Sequence, residues 1–407
     1  MTTATLDSIC DRISSGGTPS RKNAEYFTSD PAGHLWVKSK ELLDGSISDT
    51  EEKISEEGFK NSAAKYFPEH TVLVAMYGAN VGQLAWLRRR ATVNQAVSGL
   101  VVDDKKADWR FVFYSLLQNR GDLTIQAQGA AQQNLNQDLI RQFSIPYPPL
   151  PVQRRIAGIL SAYDELMENS QRRIRLLEAM ARALYREWFV HFRFPGHEKH
   201  PRVASPLGDI PQGWEVKKLG DLFKTVLGGT PSRDKPEFWE GGTIPWINSG
   251  KVNELRITTP SELITELALN RSAAKLMPKG TTVLAITGAT LGQVSYLEID
   301  TTANQSVVGI SDPSGLCSEW IYLTIKDRIE GIVNHASGGA QQHINKEVVN
   351  DVLLAPPPVP LAKEFKRLVA PIFREVASLL FKVQNLRRTR DLLLPRLLSG
   401  QIEIGNN

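Results

Sequence analysis

The sequence predicts an α+β fold built twice in tandem, each copy followed by one long helix. Three observations predict it. The first is a duplication: Gly16-Gly17-Thr18-Pro19-Ser20-Arg21 returns as Gly228-Gly229-Thr230-Pro231-Ser232-Arg233, and five further segments return in the same order. The offset stays near roughly 210 residues, which marks a repeated domain, since solenoid repeats run at about 20 to 50 residues. The second is a proline-rich strip closing each copy, Ile145 to Pro151 and Ala355 to Pro360. The third is a 4,3 apolar spacing that starts after each strip.

Within a copy, short β-like runs such as Thr71 to Ala75 and Thr282 to Ile286 alternate with glycine turns. Asp108 to Gln118 and Ser318 to Ile329 read as helices, so each copy mixes both element types. The strips forbid a continuing helix or central strand, because proline has no amide donor and a fixed φ. After the first strip the seam runs Ile156, Leu160, Tyr163, Met167, Ser170, Ile174, Leu177, Ala181, Leu184 and Trp188. After the second it runs Phe365, Val369, Ile372, Val376, Leu379, Val383, Leu386, Arg390 and Leu393, with Arg390 as the polar exception. Two seams of equal length are expected to pair with each other. A helix from Pro151 to Phe189 would measure on the order of 55 Å, which leaves two readings open, a ruler between two domains or a hairpin that cements them. Pro371 and Pro395 interrupt the second seam, and a kink or break is expected at each. His191 to Gln212 is turn-rich and reads as a linker.

With 41% hydrophobic and 23% charged residues in 407, the chain is expected to be globular rather than disordered. No apolar run of about 18 residues is present to span a bilayer, and Met1 to Ile13 lacks the pattern of an export signal. Cys10 and Cys317 are too few for a disulfide framework; a cytoplasmic protein is expected, with both as buried small hydrophobes. A net charge of +4 permits a polyanionic partner without demanding one.

Catalytic patterns are sparse. Gly78 to Gly82 and Gly288 to Gly292 are Gly-x-x-x-Gly, not a dinucleotide fingerprint, and Gly250-Lys251 lacks the glycine of a phosphate loop. His197-Glu198-Lys199-His200 sits in the linker without the helical spacing of a zinc site. Asp209 with Glu215-Val216-Lys217 resembles a nuclease pattern but occurs in one copy only, and Ile145-Pro146-Tyr147-Pro148 lacks the amide of an adenine methyltransferase.

What recurs is binding chemistry. Gln128, Gln132, Gln133, Asn134 and Asn136 form an amide-rich loop, answered by Gln341, Gln342, His343 and Asn345. Such amides suit an adenine edge in the major groove. Thr18, Ser20 and Arg21, with Thr230, Ser232 and Arg233, sit in glycine-proline turns suited to phosphates. The remaining recurring polar positions are Lys38, Lys40, Asn80, Asn94 and Gln95 in the first copy, and Asn248, Ser249, Thr290, Asn304 and Gln305 in the second. Polar turns capped by their own side chains are the competing reading. A self-contained enzyme and a protein-binding coiled-coil scaffold also stay open on the residues alone.

Taken together, Gly-Gly-Thr-Pro-Ser, Gly-x-x-x-Gly-Gln, Asn-Gln, Pro149 to Ile156, Ile210 to Val216 and Arg390 to Gly400 make the chain resemble the DNA-specificity subunit of type I restriction-modification systems. The resemblance implies two target-recognition domains, at 1–150 and 213–356. It also implies two spacer helices, at 151–190 and 357–400, packed as an antiparallel intramolecular coiled coil, a linker at 191–212 and a tail at 401–407. Each domain would read one half of a bipartite, asymmetric site in double-stranded DNA. The helices would dock two modification (methyltransferase) subunits, which restriction subunits join. S-adenosylmethionine, ATP and Mg2+ would belong to those partners, and this chain would hold no catalytic residue, cofactor or metal. Two departures, the missing Gln after the second strip and His343 in place of Asn134, imply that the two halves need not dock partners identically.

Overall fold

The computed structural model describes residues 2–125, 134–334 and 343–402. These form two compact units, one of Met1–Glu168 with Gln384–Asn407 and the other of Asn169–Val383. Each unit holds one copy of the repeat together with a stretch of both long helices.

In the first unit a five-stranded sheet runs Cys10–Ser15, Val97–Val102, Val72–Ala75, Leu84–Leu87, Gly45–Ile47, antiparallel except for its last, parallel pair. A second sheet runs Phe27–Thr28, Lys53–Ile54, His34–Val37, Ala91–Val93, Tyr66–Phe67. Val72, Val74, Leu84 and Leu100 pack on Phe111 and Leu116 of the helix Trp109–Gln118. On the other face, Leu73, Ala75, Ala85 and Val97 meet Val37 and Val93. Period-2 burial on both faces explains why these strands read as nearly continuous apolar runs.

The second unit repeats the plan. Lys224–Leu227, Val307–Ser311, Thr282–Ala285, Val294–Leu297 and Arg256–Ile257 form the larger sheet, and Glu262–Ile264, Ile244–Ile247 and Thr302–Ala303 the smaller. The registers coincide: Trp36 lies opposite Thr92 in parallel pairing, and Trp246 opposite Thr302.

The long helices span Leu150–Tyr185, continued by a π-helical turn Arg186–Val190, and Val359–Leu398. Pro151 and Pro360 fall in first turns, where a missing amide costs nothing. The 4,3 seam is the buried one: Ile156, Leu160, Met167, Ser170, Ile174, Ala181 and Trp188 are all under a tenth exposed. Within each unit the two helices run antiparallel. In the first, Arg390 Nη1 meets Asp164 Oδ1 at 2.6 Å and Leu394 joins the cluster of Ile156 and Leu160. In the second, Ile174 packs on Val376 and Leu379 while Phe189 packs on Phe365. The polar exception in the seam is thereby explained, since Arg390 pairs with Asp164 and Asp391.

Two expectations are corrected. The second helix is unbroken through Pro371 and Pro395. Both prolines lie on its exposed face, and the burial of Val369, Phe373 and Leu394 outweighs a cost of about 3 kcal/mol. The cysteines are only partly buried, at the margins of the two main clusters. Burial, then Asp11 and Asp7, pushes the Cys10 thiol up to about 12, which keeps it unreactive. Among the described residues, no helix is long and apolar enough to cross a membrane, and no group of three or more His, Cys, Asp or Glu side chains is placed to hold a metal ion.

Candidate nucleic-acid interface

In each unit the recurring segments meet at one place, through backbone hydrogen bonds. In the first, Gly16 N donates to Val97 O (3.3 Å), Gly17 N to Val93 O (3.0 Å) and Asn94 N to Val37 O (2.9 Å). Met76 N then donates to Ala96 O (2.8 Å) and Leu135 N to Met76 O (2.7 Å). The second unit repeats this with Gly228 N to Val307 O (2.9 Å), Gly229 N to Ala303 O (2.7 Å), Asn304 N to Ile247 O (2.9 Å), Ile286 N to Ser306 O (2.9 Å) and Ile344 N to Ile286 O (3.0 Å). Five segments far apart in sequence thus form one contiguous polar platform per unit.

The double glycine is required by packing. A Cβ on Gly16 would sit 1.8 Å from Val93 O, and one on Gly17 2.3 Å from the Ala63 carbonyl carbon. For Gly228 and Gly229 the distances are 2.2 Å to Asn304 O and 2.4 Å to the Ala273 carbonyl carbon. The recurrence of Ala63-Ala64 as Ala273-Ala274 follows, because the turn lies directly on that backbone. Trp36 Nε1 donates to Gly17 O at 3.0 Å and Trp246 Nε1 to Gly229 O at 3.4 Å, pinning the turn from below.

The predicted side chains that fall among the described residues each have a definite place. Arg21 lies over Phe27 (4.2 Å) and Trp36 (5.2 Å) and makes two bonds to Glu52, at 3.3 and 2.7 Å. Arg233 lies over Trp239 (3.6 Å) and Trp246 (5.3 Å) with two 2.7 Å bonds to Glu262. The guanidinium holds each carboxyl below its ordinary value. Both arginines remain exposed at the outer edge. Thr18 Oγ1 bonds Gln95 Oε1, and Thr230 Oγ1 bonds Gln305 Oε1 at 2.5 Å. Asn94 and Asn304 close their own turns by accepting from Ala96 N (3.1 Å) and Ser306 N (3.2 Å). Ser20 and Ser232 accept from Lys22 N and Asp234 N at 3.4 Å.

Three asparagines cap helices. Asn136 accepts from Leu139 N (2.8 Å), Asn345 from Val348 N (2.8 Å) and Asn248 from Lys251 N (3.1 Å). A capping asparagine spends its carbonyl but keeps its NH2 group to donate. Asn134 bridges to Tyr77 through the backbone and His343 to Thr287, leaving both side chains exposed. Asn80 is half-buried in the Gly78 to Gly82 turn; Thr290 stands in the corresponding turn and donates to Thr287 O at 3.2 Å. Lys38 and Lys40 reach Glu51 at 3.1 and 2.6 Å. Ser249 is half-buried beside Asn248. Gln128, Gln132, Gln133, Gln341 and Gln342 lie outside the described residues.

Sequence reasoning missed Glu52 and Glu262. Their spacing from the arginines differs, 31 residues against 29, so only strand register shows them to be equivalent. Preorganised arginines, amide donors and exposed hydroxyls on one rigid platform are suited to hydrogen bonding a phosphate backbone and base edges.

The model of the type I restriction modification DNA specificity domain matches residues 1–179 and again 211–364. A type I restriction enzyme MjaIX specificity subunit of Methanocaldococcus jannaschii is 26% identical over 401 residues, covering 96% of this chain and 91% of the relative. A HindI specificity subunit of Haemophilus influenzae is 25% identical, covering 65% of this chain and 70% of its own length. In fold, the S subunit of a type I restriction-modification system from M. genitalium superposes with a TM-score of 0.62 at 16% identity, covering 97% of this chain and 95% of that one. With both copies of the repeat matched, the chain belongs to the family of type I restriction-modification DNA-specificity subunits.

Proposed function

We propose that this chain is the DNA-reading subunit of a type I restriction-modification complex, with one half of a bipartite, asymmetric target read by each unit. The observation that carries the reading is the platform built twice on one backbone plan with different exposed residues, Asn134 against His343 and Lys40 against Gly250. Two identical platforms would call for a palindrome, whereas two related but unequal ones call for two different half-sites. The relatives are named as specificity subunits of restriction enzymes, which supports a role inside a larger complex. Methylation and cleavage, with S-adenosylmethionine, ATP and Mg2+, then belong to the modification and restriction subunits, and the exposed faces of the long helices dock the modification subunits.

The test is footprinting of the chain in complex with its modification subunits. The expected result is protection of a two-part site, with affinity falling steeply as salt rises. Equal binding to all sequences would overturn the reading, and so would methylation or cleavage by the isolated chain.

A further inference from the structure

The two platforms share their framework, because the Arg–Trp–Glu clamp, the Thr–Gln bond and the asparagine turn are present in both. Shared positions cannot distinguish two half-sites. The platforms differ in chemistry along the segment that follows the buried tryptophan and on the strand facing it. Register establishes the equivalence: Leu35 lies opposite Lys53 and Pro245 opposite Leu263, so Glu51 corresponds to Ser261, Lys38 to Asn248 and Lys40 to Gly250.

In the first unit these positions present a row of ammonium, carboxylate and ammonium. Glu51 Oε2 lies 3.1 Å from Lys38 Nζ and 2.6 Å from Lys40 Nζ; Glu51 and Lys40 are both more than half exposed, whereas Lys38 is largely buried and also lies 3.4 Å from Glu52 Oε2. Glu41 braces the row from behind, accepting from the backbone amides of Lys38 (2.7 Å) and Glu51 (2.8 Å). In the second unit the same places present a carboxamide and a hydroxyl, with Asn248 N donating to Ser261 Oγ at 3.2 Å.

A G·C pair shows guanine acceptors beside the cytosine amino donor on its major-groove edge, whereas an adenine edge matches a carboxamide. Resting on the reading above, we propose that the Lys38–Glu51–Lys40 row determines specificity for a G·C pair in the first half-site, Lys40 on guanine and Glu51 on cytosine, with Lys38 holding Glu51 in place from beneath.

Sequencing of methylated bases in cells carrying the intact system tests this, comparing the parent with Lys38→Asn/Lys40→Gly/Glu51→Ser and with Glu51→Gln alone. The triple variant is expected to lose the G·C requirement at one position of one half-site, with the other half unchanged. The exposed single change is expected to reduce discrimination there by about tenfold while leaving the melting temperature unaltered. A two-part motif untouched by both variants overturns this inference alone. So does uniform loss of methylation with an unchanged motif, which would make these residues backbone contacts. A parent complex without a two-part motif overturns the functional reading and this inference with it.

Discussion

The two units close the same sheet edge with opposite charge arrangements. In the second, Arg256 is fully buried, with Nε 3.0 Å from Glu178 Oε1 and Nη1 3.1 Å from Glu298 Oε1. Its guanidinium lies over Phe373 (3.9 Å), Tyr296 (4.9 Å) and Tyr322 (5.0 Å). In the first unit Ser46 faces Trp86 where Arg256 faces Tyr296, so Arg88 takes the place of Glu298. Arg88 donates to Ser46 Oγ at 3.0 Å, pairs with Glu168 and lies over Trp86, yet stays 40% exposed. A fold thus tolerates inversion of a charge pattern when every carboxylate keeps a donor, but the energetic stakes differ between a buried cation and a solvated one.

Substitution sharpens that difference. Arg256→Met takes the guanidinium from Glu178 and leaves buried Glu298 with only Lys279 at 3.4 Å, and is expected to cost about 3 to 5 kcal/mol, whereas Arg88→Met is expected to cost at most about 1 kcal/mol. Urea unfolding of the full chain followed by tryptophan fluorescence measures both, and similar losses would break the comparison.

The helix that backs each sheet offers a second contrast. In the first unit, buried Gln153 accepts from Asp108 N (3.1 Å) and donates to Pro148 O (2.8 Å), tying the long helix to the cap of Trp109–Gln118. In the second, Ala362 is buried at the corresponding place, and Cys317 N, ahead of Ser318–Val333, is bonded instead by Asp312 Oδ2 at 2.8 Å. Gln153→Ala is expected to cost about 1 to 3 kcal/mol, because a buried amide loses its acceptor. Ala362→Gln is expected to bring no gain, and a stabilisation measured in the same unfolding experiment would contradict the account of the tie.

The smallest expected effect concerns Glu319, whose carboxyl is pushed above its ordinary value of 4.5 by burial. One of its oxygens is buried without a hydrogen-bond partner. A raised folded-state pKa favours the protonated form, so its stabilising contribution is present below 4.5 and lost as pH rises through the folded value. Glu319→Gln is therefore expected to raise the melting temperature slightly at neutral pH, with the gain vanishing in acid. A gain that persists at low pH would point to packing rather than ionisation.

Much of this architecture was legible in the chain. The duplication located both platforms, and the 4,3 spacing named the buried seam nearly residue by residue, because burial periodicity is written directly in apolar spacing. The prolines misled, since whether a helix survives one depends on which face carries it. The double glycine read as a phosphate-binding turn, yet its first necessity is contact with Val93 and Ala63, or Asn304 and Ala273. The missing second Gln could not be given a structural role from the sequence, since Gln153 is an internal tie whose place Asp312 takes in the second unit. Glu52 and Glu262 stayed invisible because strand register, not spacing, brings them to their arginines.

By itself, the sequence determined that one unit is built twice and that a long amphipathic helix follows each copy, since both are local or periodic properties of the chain. Only the tertiary structure decided which polar residues brace the platform and which face outward. That choice depends on hydrogen bonds between segments far apart in the chain, Asn94 with Val37 and Leu135 with Met76 among them.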